Sequence, residues 1–345
     1  MHPRFSIGLA LALFAPLTVL AQSGTAATAP STALPASVVD GPISDMETLV
    51  VSGVLPGPGM WKVSRGDNVM WVLGTLSPLP KKMEWVSKDV EAALAQSQEI
   101  IWQPALSINA DVGMFRGLML VPKALGARKN PDGATLKEVV PADLYARWTP
   151  LKLKYVGRDA GIESWRPMFA AMKLYEEAMD DTNLVRSGIV GPVLQRAVKR
   201  HRLAETAPTV KLTISDPKQA LTEFRETRMD DLDCFRRTLD RIETDIDAMR
   251  ERANAWAVGD IESLRALPYS DQNEACMRAA MESSAAQKRG ARDFDAEMRK
   301  LWIEAAEKAL GKNAVTFSVL PMREVLKPDG YLAQLQAKGY TVEAP

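Results

Sequence analysis

The apolar residues between positions 48 and 102 fall into short runs separated by polar or turn-forming residues, a pattern that predicts strands. Residues 49–51, 60–63 and 69–73 are such runs, rich in β-branched and aromatic side chains. Gly66 and Asp67 lie in a turn sequence between the last two runs, so we expect these two to pair as a hairpin.

A helix and a further strand follow this hairpin. Val86, Val90 and Leu94 recur at helical spacing, and residues 100–102 form a short apolar run typical of a buried strand. A strand, a helix and a second strand in succession favour an α/β sheet with a crossover connection.

The middle of the chain, from about residue 110 to about residue 310, has mostly helical patterns. Its clearest segment has apolar residues at intervals of three and four, which predicts one apolar seam along a helix of about 29 residues. This seam packs either within the chain or against a second copy in a homodimer, through the face of Leu232, Leu239, Ile246 and Trp256. Its members are Leu232, Phe235, Leu239, Ile242, Ile246, Met249, Ala253 and Trp256.

The C-terminal part of the chain returns to a mixed pattern. An amphipathic helix with Phe294, Leu301 and Ala309 on its apolar face is expected to end at Gly311. Beyond it the sequence predicts a strand over residues 315–320, a turn over 328–330, a short helix over 331–337 and a last strand over 340–342.

The first residues have the composition of an export signal. An apolar run that ends at Leu20 follows Arg4, which predicts a signal peptide over residues 1–21 with cleavage after Ala21. Residues 22–45 are rich in Ala, Ser, Thr and Pro and predict a flexible linker, followed by a folded domain over 46–345. We therefore expect a periplasmic or secreted protein with no stable membrane insertion after cleavage.

Composition and charge exclude several function classes. The 43 basic and 43 acidic residues cancel, which removes the basic surface that nucleic-acid binding needs, so we expect no nucleic-acid partner. Cleavage of the signal peptide removes His2, and the remaining one histidine and two cysteines are too few for a cysteine/histidine zinc cage. In an exported protein, Cys234 and Cys276 either form a disulfide or remain as buried thiols.

The common catalytic motifs are absent from this sequence. It contains neither the G-x-S-x-G of α/β hydrolases nor the H-E-x-x-H of zinc proteases. His201 lies among cations and fits a solvated basic helix face better than a general base. The acidic pairs at 180–181 and 230–231 fit helix starts, where carboxylates cap backbone amides, better than a cation site.

Several short motifs, taken together, resemble the TraB/GumN family over most of the chain. The first are residues 61–63, the segment Gly74-Thr75-Leu76-Ser77, the helix over 86–95 and the strand at 100–102. Farther along, Ala255-Trp256, Gly259-Asp260 and Leu264 are similar to the family's A-W-x-x-G-D-x-x-x-L segment, and Arg292-Asp293 stands where the family usually has Arg-Asn. The terminal strand, turn, helix and strand complete the resemblance.

The resemblance implies an α/β fold of the erythromycin-esterase/ChaN-like kind, with a central mixed sheet built from both chain ends and a large helical insert. Some relatives, the Tiki-type proteins, resemble proteases that use Mn²⁺ or Co²⁺. At the positions where the family pattern has metal-binding side chains, this sequence has Ser77, Gln103, Val190 and Glu324. Serine and glutamine are weak neutral ligands and valine is none, so we expect no metal cofactor here.

The resemblance also locates a candidate cleft. Its catalytic or binding candidates are Ser77, Gln103 and Glu324, and the same cleft is expected to bind an unidentified peptide or small polar ligand. As structural alternatives, Ser77 caps the turn before Pro78, and Glu324 pairs with Arg323 or a surface lysine. The ligand-binding residues predicted in this way are Gly74, Thr75, Ser77, Gln103, Arg323 and Glu324.

Three functions are consistent with these observations. The first is a non-catalytic binding or scaffolding protein of the cell envelope on a metalloprotease-like fold, in effect a pseudoenzyme. The second is an active hydrolase or peptidase that uses Glu324 as acid or base. The third is a structural protein that oligomerises through the seam between Leu232 and Trp256.

Overall fold

The computed structural model of this protein describes residues 57–110, 114–267, 272–283, 286 and 293–345. Several predicted features lie outside the described residues, so the expectations for them stay predictions. They are the signal peptide over 1–21, the linker over 22–45, the strand over 49–51 and the match at Arg292.

The described chain contains both strands and helices. The strands are β1 (Met60–Arg65), β2 (Asn68–Thr75), β3 (Leu79–Pro80), β4 (Glu99–Ile101), β5 (Ala105–Ala110), β6 (Leu184–Val185), β7 (Ala204–Thr206), β8 (Thr209–Ile214), β9 (Val315–Pro321) and β10 (Thr341–Glu343). The α-helices with both ends described are α1 (Lys88–Gln96), α2 (Met114–Ala127), α3 (Leu136–Val139), α4 (Ala142–Tyr155), α5 (Pro167–Asp181), α6 (Gly191–His201), α7 (Pro217–Glu226), α8 (Leu232–Thr244), α9 (Ile246–Ala257), α10 (Ile261–Ala266), α11 (Gln272–Glu282), α12 (Phe294–Leu310), α13 (Met322–Leu326) and α14 (Tyr331–Ala337).

A six-stranded sheet with the order β10-β1-β2-β9-β4-β7 lies at the centre of the fold. Strands β1 and β2 form the predicted antiparallel hairpin, whereas β2, β9, β4 and β7 run parallel to one another. Strand β9 comes from the C-terminal part of the chain and inserts between β2 and β4, and β10 extends the sheet beyond β1. The predicted mixed sheet, built from both ends of the domain, is confirmed.

The parallel strands are apolar because helices pack against them. Leu73, Ile100, Phe317 and Leu320 are fully buried, as expected for strands covered on both faces. Helices α1 and α12 both contact β9. The central sheet therefore forms one main core, and a second apolar cluster around Trp148 and the seam residue Phe235 forms within the helical insert.

Two further strand pairs lie outside the central sheet, and the sequence pattern does not predict them. Strand β5 pairs with β8 in parallel, and the short β3, in the proline-rich loop after β2, pairs with β6. The second pair brings the segment after Ser77 next to Arg186, because these residues flank the paired strands.

The prediction of one long helix through the apolar seam is wrong, since α8 and α9 are two helices that meet at Asp245. This residue is buried, and its carboxylate lies 2.7 Å from Arg252 and 3.6 Å from Arg241. Leu239 and Trp256 are fully buried within the chain, as the alternative of internal packing expects. A homodimer through this seam would first have to expose them.

The two acidic pairs differ in their positions. Asp181 ends α5, so the expectation that residues 180–181 lie at a helix start is wrong. Asp231 precedes α8, but its carboxylate accepts a hydrogen bond from the backbone of Met168, at 2.8 Å, and thus caps the first turn of α5. Burial raises the pKa of Asp231.

Cys234 and Cys276 form the predicted disulfide, with their sulfur atoms 2.00 Å apart. The bridge joins α8 to α11 and lies in a small apolar cluster with Met168 and Ala279. Its structural role is to attach α11 to the rest of the insert.

Candidate functional site

The predicted cleft residues lie at one edge of the central sheet. The parallel register aligns Thr75 at the end of β2 with Pro321 at the end of β9, and Ile101 at the end of β4 with Ser318. In open α/β sheets, ligands usually bind outside the carboxyl ends of the parallel strands. Ser77, Gln103 and Glu324 each follow one of these ends.

Gly74 and Thr75 fix the end of β2 in place. The Gly74 carbonyl accepts a hydrogen bond of 2.6 Å from the indole N–H of Trp256, and the Thr75 hydroxyl donates to the Leu320 carbonyl at 3.2 Å. A Cβ atom on Gly74 would lie 2.7 Å from the terminal methyl of Met322, so a larger residue at position 74 would force the Met322 side chain to shift. These polar groups therefore already have partners within the chain.

Ser77 and Gln103 are both exposed. The Ser77 hydroxyl donates to the backbone carbonyl of Arg186, at 3.0 Å. Ser77 thus links its loop to the loop after β6. This bond differs from the expected one, in which Ser77 caps the turn before Pro78. Gln103 follows β4 at the surface, and none of the contacts in the described part of the chain joins it to Ser77 or Glu324.

Glu324 lies in α13, directly after β9, and its side chain is 16% exposed. Its carboxylate is 3.6 Å from the Arg323 guanidinium and 4.0 Å from that of Arg299 on α12. The expected pairing with Arg323 is therefore present. Arg299 is a second cationic partner, which the sequence does not indicate because it lies 25 positions earlier.

Two aromatic residues complete this group, which we call the Tyr331 cluster: Arg299, Trp302, Glu324 and Tyr331. The Tyr331 ring lies 5.2 Å from the Trp302 ring and 5.7 Å from the Arg299 guanidinium. Burial, and then the negative charge of Glu324, raise the pKa of Tyr331 to about 12. The Tyr331 hydroxyl is thus neutral at ordinary pH.

Three buried polar atoms of the Tyr331 cluster have no hydrogen-bond partner among the described residues. They are Oε2 of Glu324, Nε of Arg299 and Nε1 of Trp302. Most buried polar atoms in proteins bind another protein group or an ordered water, so an unpaired set calls for a specific explanation. One acceptor and two donors in a single cluster match a ligand or water that carries both kinds of group.

A cavity of about 420 Å³ adjoins the cluster between α12 and α14. Arg299 belongs to both, and the other lining residues are mostly polar or charged: Lys300, Glu304, Glu307, Gln334 and Lys338. This volume is within the range of small-molecule sites, and the lining suits a polar ligand. A second cavity, of about 550 Å³, lies beside β7 and is lined by neither Ser77 nor Glu324.

The residues that the resemblance places at metal-binding positions do not fit a divalent ion. Val190 is buried in the main core, Gln103 is exposed, and Glu324 pairs with two arginines. Among the described residues, no group of three or more His, Cys, Asp or Glu side chains is placed to share a metal ion. Two or three strong ligands normally hold a catalytic metal, and this edge of the sheet lacks such a set.

His201 is the last residue of α6 and is exposed, next to Lys199 and Arg200. Arg200 lies 3.5 Å from Glu91 on α1. This placement agrees with a solvated basic helix face, where cations complement the C-terminal dipole of the helix.

Sequence reasoning missed the residues that carry the unpaired atoms, Arg299 and Trp302. They are three positions apart on α12, so they lie on neighbouring parts of one helix face. The sequence signal that could have found them is a charged residue and a tryptophan on the same face of one helix.

The model of the TraB/PrgY/gumN family matches residues 59–344 of this chain. Comparison of the chain with curated proteins and with solved structures gave no match.

Proposed function

Because this chain belongs to the TraB/PrgY/gumN family, we propose that it is a non-catalytic binding or scaffolding member of that family, exported from the cytoplasm, which binds a small polar ligand instead of a catalytic metal ion. The observation that carries this proposal is the set of three buried, unpaired polar atoms in the Tyr331 cluster, beside a polar cavity.

The lack of strong metal ligands supports the non-catalytic part of the proposal. Ser77 donates its hydroxyl to a backbone carbonyl, and the carboxylate of Glu324 lies against two guanidinium groups. A divalent ion at this edge would have to displace Arg299 and Arg323 from Glu324 and would gain only one charged ligand. Such exchange is unfavourable, because the ion would lose strongly bound water for weak neutral ligands.

The chemistry of the unpaired atoms indicates the ligand class. Arg299 Nε and Trp302 Nε1 are donors, and Glu324 Oε2 is an acceptor. A peptide unit offers a carbonyl to a donor and an N–H to an acceptor, so a short peptide, or a small ligand with an amide, carries the groups that match these atoms. Leaving these atoms unpaired costs about 1–3 kcal/mol each, which favours ligand binding.

The disulfide supports export. Disulfides form and persist in oxidising compartments, and the Cys234–Cys276 bridge is therefore typical of a periplasmic or secreted protein.

The test is a thermal-shift screen of the purified protein with pools of tripeptides, followed by mass spectrometry of the same mixtures with and without added Mn²⁺. We expect at least one pool to raise the melting temperature, and no peptide to be cleaved. The substitutions Trp302→Phe and Glu324→Gln each remove one of the unpaired groups and are expected to reduce the shift.

Trp148→Phe is the matched control, because the indole N–H of Trp148 already donates to Glu163 at 3.1 Å. It should lower stability without reducing the ligand-induced shift. The proposal is overturned if no pool shifts the wild type, or if Trp148→Phe and Trp302→Phe reduce the shift equally. Cleavage that requires Mn²⁺, or that Glu324→Gln abolishes, would instead identify an active hydrolase.

A further inference from the structure

Helix α2 presents large apolar side chains to solvent. Leu118 is 71% exposed, Met119 79%, Val121 47% and Leu125 51%. Pro122 and Ala124 on the same helix are also exposed. We call the four large residues, Leu118, Met119, Val121 and Leu125, the α2 apolar face.

The polarity of this helix is the reverse of that of an ordinary surface helix. Among the residues of α2 whose side chains the structure describes, Ala127 is the buried one and Lys123 is only half exposed, whereas the large apolar residues point outward. Globular proteins rarely expose large contiguous apolar patches unless these bind a partner or a membrane. We therefore expect the α2 apolar face to contact a partner or a membrane.

The charged residues near α2 indicate what this face contacts. Residues 111–130 contain four cations, Arg116, Lys123, Arg128 and Lys129, and one acid, Asp111, in a chain whose 43 basic and 43 acidic residues balance overall. Arg128 stacks on the Trp165 ring at 3.8 Å, and Lys129 is exposed. Basic residues around an apolar helix face complement anionic lipid headgroups.

The length of α2 sets the mode of binding. With 14 residues, α2 is too short to cross a bilayer, and no helix in the described parts of the chain is long and apolar enough to do so. A helix of this length can lie in the plane of the membrane, with its apolar face at the boundary between headgroups and acyl chains. α2 is attached to the rest of the molecule through its packing against α7.

We propose that the α2 apolar face binds the surface of an anionic lipid bilayer and places the protein on the membrane. This inference is independent of the proposed ligand at the Tyr331 cluster, because α2 contributes no residue to that cluster or to the cavity beside it. The apolar side chains of this face and several nearby cations act together, so binding should need both anionic lipid and the apolar face.

The experiment is cosedimentation of the chain, as recovered from the cell, with vesicles of phosphatidylcholine alone or of phosphatidylcholine and phosphatidylglycerol. We expect the wild type to bind the anionic vesicles, and the binding to weaken in high salt. The double substitution Leu118→Gln/Met119→Gln should reduce the partition coefficient at least about tenfold, because it removes two apolar groups from the lipid contact. Both residues are exposed, so the fold should be unaffected.

Leu153→Gln/Met277→Gln is the matched control, since Leu153 on α4 is 60% exposed and Met277 on α11 is 50% exposed. This control makes the same chemical changes elsewhere and should bind like the wild type; the N-terminal apolar run is common to all variants. Equal binding by Leu118→Gln/Met119→Gln and the wild type would overturn the proposal. So would a concentration-dependent dimer in light scattering that Leu118→Gln/Met119→Gln abolishes, because the occupant would then be a second copy.

Discussion

The indole N–H of Trp256 donates a hydrogen bond of 2.6 Å to the carbonyl of Gly74, which lies 182 positions earlier in the chain. Trp256 belongs to the late A-W-x-x-G-D segment and Gly74 to the early G-T motif, so one bond joins two of the segments by which the family resemblance is identified. Both groups are buried, and the bond fixes the end of β2 against α9.

Trp256→Phe should lower the free energy of unfolding by about 1–3 kcal/mol more than Trp302→Phe in the absence of ligand. Both tryptophans are fully buried, but the Trp302 N–H has no partner among the described residues, so its removal breaks no hydrogen bond within them. Urea unfolding of the two variants checks this. Equal losses would mean that the Trp256–Gly74 bond adds nothing, or that Trp302 has a partner after all.

Asp245→Asn should lower the free energy of unfolding by about 3–5 kcal/mol, because it removes the negative charge that lies against the buried guanidinium of Arg252. The side chains of Asp245 and Arg252 are 5% and 3% exposed. Asp247→Asn is the matched control, since Asp247 is 92% exposed and its pair with Arg250 is at the surface. Chemical denaturation of both variants compares the buried ion pair with the exposed one. Similar losses of unfolding free energy would contradict a stabilising role for the buried pair of Asp245 and Arg252.

Replacing both cysteines by alanine should lower the free energy of unfolding by about 4 kcal/mol, because a bridge between residues 42 positions apart restricts the unfolded chain. Adding a reductant to the wild type should give a similar loss and should leave the double variant unchanged. If reductant has no effect on the wild type, Cys234 and Cys276 are not bridged in solution.

The protein should lose stability as the pH rises from about 10 toward about 12, in part through Tyr331. Its pKa is raised in the folded state from 10.0 to about 12, so the unfolded chain releases this proton first. The stability that comes from this shift is complete below pH 10 and falls by up to about 1.4 kcal/mol per pH unit above it. Tyr331→Phe should have a shallower loss over this range in urea unfolding, and an identical slope would contradict the shift.

Local pattern was enough to locate most elements of the central sheet. The hairpin of β1 and β2, the helix α1 and the C-terminal elements β9, α14 and β10 all have clear periodicity bounded by Gly or Pro, and the structure confirms them. The family resemblance implied that both chain ends meet in one sheet. It did not give the position of β9 between β2 and β4, because strand order depends on long-range pairing that local pattern does not specify.

The end of α8 and the start of α9 at Asp245 could not be predicted. The apolar residues of the seam keep their intervals of three and four on both sides of this position. Only the tertiary structure shows that Arg252 and Arg241 bind the Asp245 carboxylate inside the insert. The Tyr331 cluster was missed for a similar reason. Glu324 could be singled out as a ligand replacement, but its contacts with Arg299 and Tyr331 arise only when α12 and α14 pack around α13.

The most direct test of the central claim is a calorimetric titration of Mn²⁺ into the purified protein after treatment with a chelator. We expect no saturable heat, because Ser77, Gln103 and Val190 offer no strong ligand and Glu324 is paired with Arg299 and Arg323. Binding of one Mn²⁺ per chain that Glu324→Gln weakens would contradict this account and would indicate a working metal site at the carboxyl edge of the sheet.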